Sequence, residues 1–155
     1  MDQAVSSVRR PETAALDVRV DARDSSPLSD SDLRRLFPGS TLTDLRLDRL
    51  REWPRVLVRF GECLVGVATY QKTERDLRVP DLGVQPPDAV IPCGACPSRD
   101  VLNALLDGLE LACLAAGCRR IVISPPAVSI TLLERRGYVR INERCAGGWI
   151  EKTLA

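Results

Sequence analysis

Histidine is absent from all 155 residues, and its absence removes more chemistry than any single residue supplies. Without imidazole there is no Ser/His/Asp or Cys/His nucleophile system, no His-dependent metal site, and none of the commonest general base. Most hydrolase mechanisms are thereby excluded. An excess of either charge is lacking too: 22 Lys and Arg stand against 21 Asp and Glu, a net charge of +1, and the arginines are scattered among acids. Such a chain has little with which to neutralise phosphates, so no nucleic-acid partner is expected. Long apolar runs are missing as well. Residues 1–15 are polar and contain Arg9, Arg10 and Pro11 where a secretory leader would be apolar. The most apolar helix, Val101 to Ala116, is too short to span a bilayer and carries a polar stripe. The expectation is a cytoplasmic protein with no membrane contact, whose six cysteines are thiols.

What is present suffices for one core. At 45% hydrophobic residues, positions 15–155 are expected to form a single domain behind a disordered lead at 1–14. Leu16 to Val20 alternates as a half-buried edge strand does. Ser29 or Asp30 can cap a helix with Leu33, Leu36 and Phe37 on one face, stopped by Pro38-Gly39. A second helix is expected from Ser40 or Thr41, with Leu42, Leu45, Leu50 and Trp53 inward and Pro54 at its end. Val56 to Phe60 and Cys63 to Tyr70 flank Gly61-Glu62, a two-residue hairpin turn with Gly first. Leu77 to Val84 reads as a third strand of this group, and Pro80 within it implies a bulge or an edge. After an irregular stretch from Gln85 to Ser98 comes the Val101 helix, its polar residues Asn103, Asp107 and Glu110 on one stripe, stopped by Gly117. Arg120 to Ile123 is a buried strand, Ala127 to Arg136 a helix ended by Gly137, and Tyr138 to Cys145 and Trp149 to Leu154 are strands around Ala146-Gly147-Gly148.

The order strand, two helices, three strands, then helix, strand, helix and two strands gives an α/β architecture. With its antiparallel hairpin first and its helix-strand-helix-strand half last, it resembles the GCN5-related N-acetyltransferases (GNAT), most clearly from Val65 onward. Four stretches carry the resemblance: Val65-Gly66-Val67-Ala68, Leu82-Gly83-Val84-Gln85-Pro86, Gly117 to Ile123, and Leu132-Leu133-Glu134-Arg135-Arg136-Gly137-Tyr138. It implies a mixed, mostly antiparallel sheet flanked by helices, with the fourth and fifth strands parallel. It also implies transfer of an acyl group from acetyl-CoA or another acyl-CoA to a small-molecule or peptide amine, without a metal. The oligomeric state is not implied. In such proteins the fourth strand offers backbone groups to the pantetheine arm, here Leu82 and Val84. The opening turn of the next helix cradles the pyrophosphate, here Arg99, Asp100, Val101, Leu102 and Asn103.

The chain departs from the family pattern at several of these positions. Asp100 and Leu102 stand where two glycines are usual, Pro126 where an Asn often lies near the cofactor, and Leu133 where a Tyr often protonates the departing thiolate. Asp81 is the one candidate for the carboxylate base. Arg99 to Asn103 can equally be an ordinary helix start capped by Ser98, with Asp100 favourable to the dipole. These departures motivate an alternative, a non-catalytic module of the same fold that binds or regulates. Cys93-Gly94-Ala95-Cys96 could chelate zinc only with further ligands from Cys63, Cys113, Cys118, Cys145 or carboxylates, and no second CxxC exists, so no metal is expected. Arg119-Arg120 and Arg135-Arg136 read as solvated element ends, and Trp149 as a packing residue after a glycine turn.

Overall fold

Alternating apolar side chains build a seven-stranded sheet in the computed structural model, which describes residues 16–20, 28–38, 42–86, 98–124, 130–140 and 150–154. The strands are β1 (Leu16–Val20), β2 (Arg55–Phe60), β3 (Cys63–Lys72), β4 (Asp76–Val84), β5 (Arg120–Ile123), β6 (Val139–Arg140) and β7 (Ile150–Thr153). The helices are α1 (Asp30–Leu36), α2 (Asp44–Glu52), α3 (Ser98–Ala115) and α4 (Ile130–Arg135). Strand order is β1-β2-β3-β4-β5-β7-β6, and every neighbouring pair is antiparallel except β4 with β5, which is parallel. This is the mixed, mostly antiparallel α/β sheet expected, with its parallel pair in the expected place. The readings of Cys93 to Cys96, Pro126, Cys145 and Trp149 fall outside the described residues. Among the described residues no helix is long and apolar enough to cross a membrane, and no cluster of metal-ligating side chains occurs.

The period-two pattern sends successive side chains to opposite faces, and each face receives its own helices. Leu57, Leu64 and Val67 meet Leu33, Leu36, Phe37 and Leu50 from α1 and α2. Val56, Val58, Ala68, Leu77, Val79, Ile121 and Ile123 meet Val101, Leu105, Leu106 and Leu109 of α3, joined by Leu133 and Tyr138. Gly61 starts the β2–β3 turn at φ 63°, a left-handed value that Gly adopts without a Cβ penalty.

Four expectations are corrected. α2 starts at Asp44, because the Thr43 side chain accepts the Arg46 amide, and not from Ser40 or Thr41. Leu45, expected inward, is 71% exposed, while Leu50 is fully buried and Arg46 and Arg49 turn toward the sheet. The cause is a buried carboxylate on β4 that outbids a leucine for the inward position. α3 carries its polar stripe as read, with Asp107 exposed. Asn103 and Glu110 are half-buried against groups from α4, its exit and β7, and the exposed line instead continues through Leu111 and Leu114. Arg136, read as a solvated end, spans that stripe: it donates to Asn103 Oδ1 at 3.3 Å and Asp107 Oδ1 at 2.8 Å and pairs with Glu110 at 3.2 Å. Arg120 likewise ties β5 to Asp76 and Glu151, at 2.8 and 3.1 Å.

Candidate functional site at the end of β4

The parallel ladder of β4 and β5 covers only Asp76–Val79 against Arg120–Ile123, and its last bond runs from the Ser124 amide to the Val79 carbonyl at 2.9 Å. β4 continues for five more residues, still paired with β3 through Asp81, Leu82, Gly83 and Val84. Among the described residues, pairing between the two strands therefore ends just before Pro80. Register shifts at the same point: β4 spends one more residue than β3 between the pairs Thr69↔Asp81 and Gln71↔Arg78, a bulge at Val79-Pro80. Proline has no N–H to give a ladder, and a bulge is where a central strand tolerates it.

Backbone direction beyond the bulge follows from one bond. The Gln85 amide donates to the Val65 carbonyl at 2.8 Å, and residues 81, 83 and 85 share its parity, so their N–H and C=O groups face β3. Leu82 and Val84 have the opposite parity and turn theirs away from β3, to the side on which the described pairing with β5 has ended. The first turn of α3 arrives at the same end. A Cβ on Gly66, the register partner of Val84, would stand 2.8 Å from Val101 Cγ1, so α3 opens directly over the end of β4 that lies beyond the β5 ladder. Its opening amides, which have no partner within the helix, and the outward parity of β4 thus share one region.

The candidate side chains are placed as follows. Arg99 and Asp100 are exposed, Asn103 is half-buried with its carbonyl and side chain both accepting from Arg136, and Val101 and Leu102 lie in the core at 0% and 2% exposure. Leu133 is fully buried in the same core. Asp81 is fully buried on the opposite face of β4. It accepts from Arg46 Nε at 2.7 Å, from Arg49 Nε and Nη2 at 2.8 Å each, and from Thr69 Oγ1 at 2.5 Å. Burial alone would raise its pKa, but the bonds from Arg49, Thr69 and Arg46 outweigh that and hold the carboxyl below the usual carboxylate range. Tyr138, at 1% exposure, donates to Glu110 Oε2 at 3.0 Å, and burial beside that carboxylate pushes its pKa far up.

Two further groups brace the β4 end, and sequence reading missed both. Arg35 of α1 donates to Gln85 Oε1 at 2.7 Å and to the Leu64 carbonyl, fixing the exit of β4 to β3. Phe37 lies on Gly83, where a Cβ would stand 2.7 Å from its Cζ and 3.0 Å from the Leu36 carbonyl oxygen. Gly83→Ala is expected to cost about 1–3 kcal/mol, because the ring can swing but the Leu36 carbonyl cannot yield without moving α1. Urea denaturation of the variant measures this, and an unchanged midpoint would contradict that packing. The signals for Arg46, Arg49 and Thr69 were a carboxylate within an apolar strand and a threonine across the hairpin from it, informative only once β3 and β4 are set in register.

No protein-family profile matches the chain, and no curated protein matches it. Solved structures do, at low sequence identity. Ard1 from Thermoplasma volcanium superposes with a TM-score of 0.63 at 16% identity, covering 91% of this chain and 99% of that one. An aminoglycoside 6'-acetyltransferase type Ii gives 0.66 at 16% identity, with 90% and 97% covered. A GNAT family acetyltransferase from Elizabethkingia anophelis, solved with acetyl-CoA bound, gives 0.61 at 13% identity, with 90% and 99% covered. Likeness along nearly the full length of both chains, together with the parallel pairing of β4 and β5 within an otherwise antiparallel sheet, shows that this chain has the fold of the GCN5-related N-acetyltransferases.

Proposed function

We propose that the gap between β4 and β5 binds acetyl-CoA or another acyl-CoA, and that the chain passes the acyl group to the amine of a small molecule or peptide in the cytoplasm. The observation that carries this reading is the parity of Leu82 and Val84, whose backbone groups turn away from β3 beside the opening turn of α3. Alternating amide and carbonyl groups suit the amides of a pantetheine arm, and the opening-turn amides of Arg99 and Asp100, with the Arg99 cation, suit a pyrophosphate. A neutral amine can attack a thioester directly, so alignment of the two reactants supplies much of the catalysis.

The side chains usual for proton transfer are degenerate in this reading. Asp81 is committed to Arg46, Arg49 and Thr69, Leu133 has no proton to give, and the Tyr138 proton is held by Glu110. Asp81 then acts as an anchor that fixes the bulge against α2, and the amine must arrive unprotonated. Turnover slower by roughly a hundredfold than with a placed acid or base is expected.

Calorimetric titration with acetyl-CoA and with CoA tests the binding. Saturable heat for both supports the proposal, and none at millimolar ligand would overturn it. The locked Asp81 also favours a second reading, a non-catalytic module that uses the gap for binding alone. Transfer to amines in a single-turnover assay supports the first reading, and binding without transfer the second.

A further inference from the structure

The far end of α3, opposite its opening turn, closes in a way that presses two thiols together. The Cys118 amide donates to the Cys113 carbonyl at 2.9 Å and the Gly117 amide to the Leu114 carbonyl at 3.1 Å, around Gly117 at φ 78°. This paired-bond ending brings the side chains of its first and last residues into contact. α4 ends identically: Tyr138 bonds to Leu133 at 3.1 Å and Gly137 to Glu134 at 3.0 Å, with Gly137 at φ 94°, and there the contact is filled by Leu133 and Tyr138. At α3 the same two places hold sulfur. Cys113 and Cys118 are 0% and 3% exposed, belong to one core cluster and are unlinked.

The two thiols differ in access. Cys118 borders a surface cleft of about 550 Å³ with Leu114, Gly117, Arg119, Thr153 and Leu154, whereas Cys113 lies behind it in the core. A second cleft of about 260 Å³, formed by Arg75, Gly117 and Arg119, shares two of those residues and adds a second guanidinium. Arg119 beside the Cys118 cleft, with Arg75 in the adjoining one, suits a small anionic oxidant.

We propose that Cys113 and Cys118 are a modification site: an anionic low-molecular-weight disulfide reacts with them to form an intramolecular disulfide that staples the end of α3. The thiolate of Cys118 attacks the small disulfide, giving a mixed disulfide on Cys118 and releasing one small thiol. The thiolate of Cys113 then attacks the Cys118 sulfur and releases the second small thiol. The protein loses two protons and two electrons, and one small disulfide becomes two thiols, so the exchange balances. Burial, with Cys118 alongside, pushes the Cys113 thiol up to about 11, so the second step is slow and the pair stays reduced until the oxidant persists.

The test uses the full chain and oxidised glutathione, followed by acid quenching, alkylation and trypsin. Both cysteines fall in one tryptic peptide, Asp100 to Arg119, while Cys93 and Cys96 fall in the preceding one. The expected product is that peptide two hydrogens lighter and closed to alkylation until reduced, with the melting midpoint of the protein raised by a few degrees. Cys113→Ser is expected to stop at a glutathione adduct on Cys118, and Cys118→Ser to leave Cys113 unmodified. Full alkylation of the peptide after oxidation would overturn the proposal. So would links from Cys113 or Cys118 to other cysteines, or an adduct on Cys113 in the Cys118→Ser chain.

Discussion

Asp81→Asn is expected to lower the unfolding free energy by about 3 kcal/mol and the melting midpoint by roughly 10 °C. The carboxylate is fully buried, and two guanidinium groups that remain about a quarter exposed converge on it. An amide keeps the shape and one acceptor but loses the charge, and its NH₂ faces donors, so Arg46, Arg49 and Thr69 compete for what remains. The cost sits at the low end for a broken buried pair because Arg46 and Arg49 can partly turn to water. The pH dependence has a definite sign. The folded pKa of Asp81 lies below its unfolded value, so its contribution is present above the unfolded carboxylate range near ~4 and is lost as pH falls through the folded value. Wild type should lose this part of its stability in acid, while Asp81→Asn, already lacking it, should show a flatter profile. Urea midpoints at neutral and acidic pH measure both; parallel profiles for the two proteins would contradict the anchor role.

Leu102→Ala is the second large effect. Leu102 stands where the family pattern has a glycine, and the structure places it at 2% exposure in one core cluster with Leu82, Leu105, Ile123 and Leu133. Truncating such a side chain costs about 3 kcal/mol, the transfer of the lost carbons plus the cavity they leave. If its bulk belongs to the core, the variant loses stability while acyl-CoA affinity stays within about a factor of three of wild type, ~0.6 kcal/mol. Titration well below the variant's melting midpoint measures the affinity. A tenfold gain in affinity would mean that Leu102 plugs the gap in the wild type, reversing its assignment to the core.

Local chemistry made much of this fold legible. Ser29 capped α1, Gly61 turned the β2–β3 hairpin, Pro80 marked the bulge and Gly117 stopped α3, each because a residue's own backbone constraint decides the matter within a few positions. α2 was not legible in the same way. An arginine at an inward position contradicts the apolar pattern until Asp81, more than thirty residues away, is known to lie beneath it. The polar stripe of α3 was legible, but its partners were not, since Arg136, Tyr138 and Lys152 return from later in the chain to meet it. The backbone of Leu82 and Val84 lies between these cases. Any strand alternates its hydrogen-bonding direction, but which parity faces the gap depends on the β3–β4 register, which is a tertiary fact.

The most direct test is a crystal structure grown with acetyl-CoA. The expected density runs between the strands from the Pro80 bulge, with amide groups of the ligand bonded to Leu82 and Val84 and its pyrophosphate at the turn from Arg99 to Asn103. A gap closed by protein side chains, or acetyl-CoA bound elsewhere on the molecule, would contradict the claim that the parted strands form its binding site.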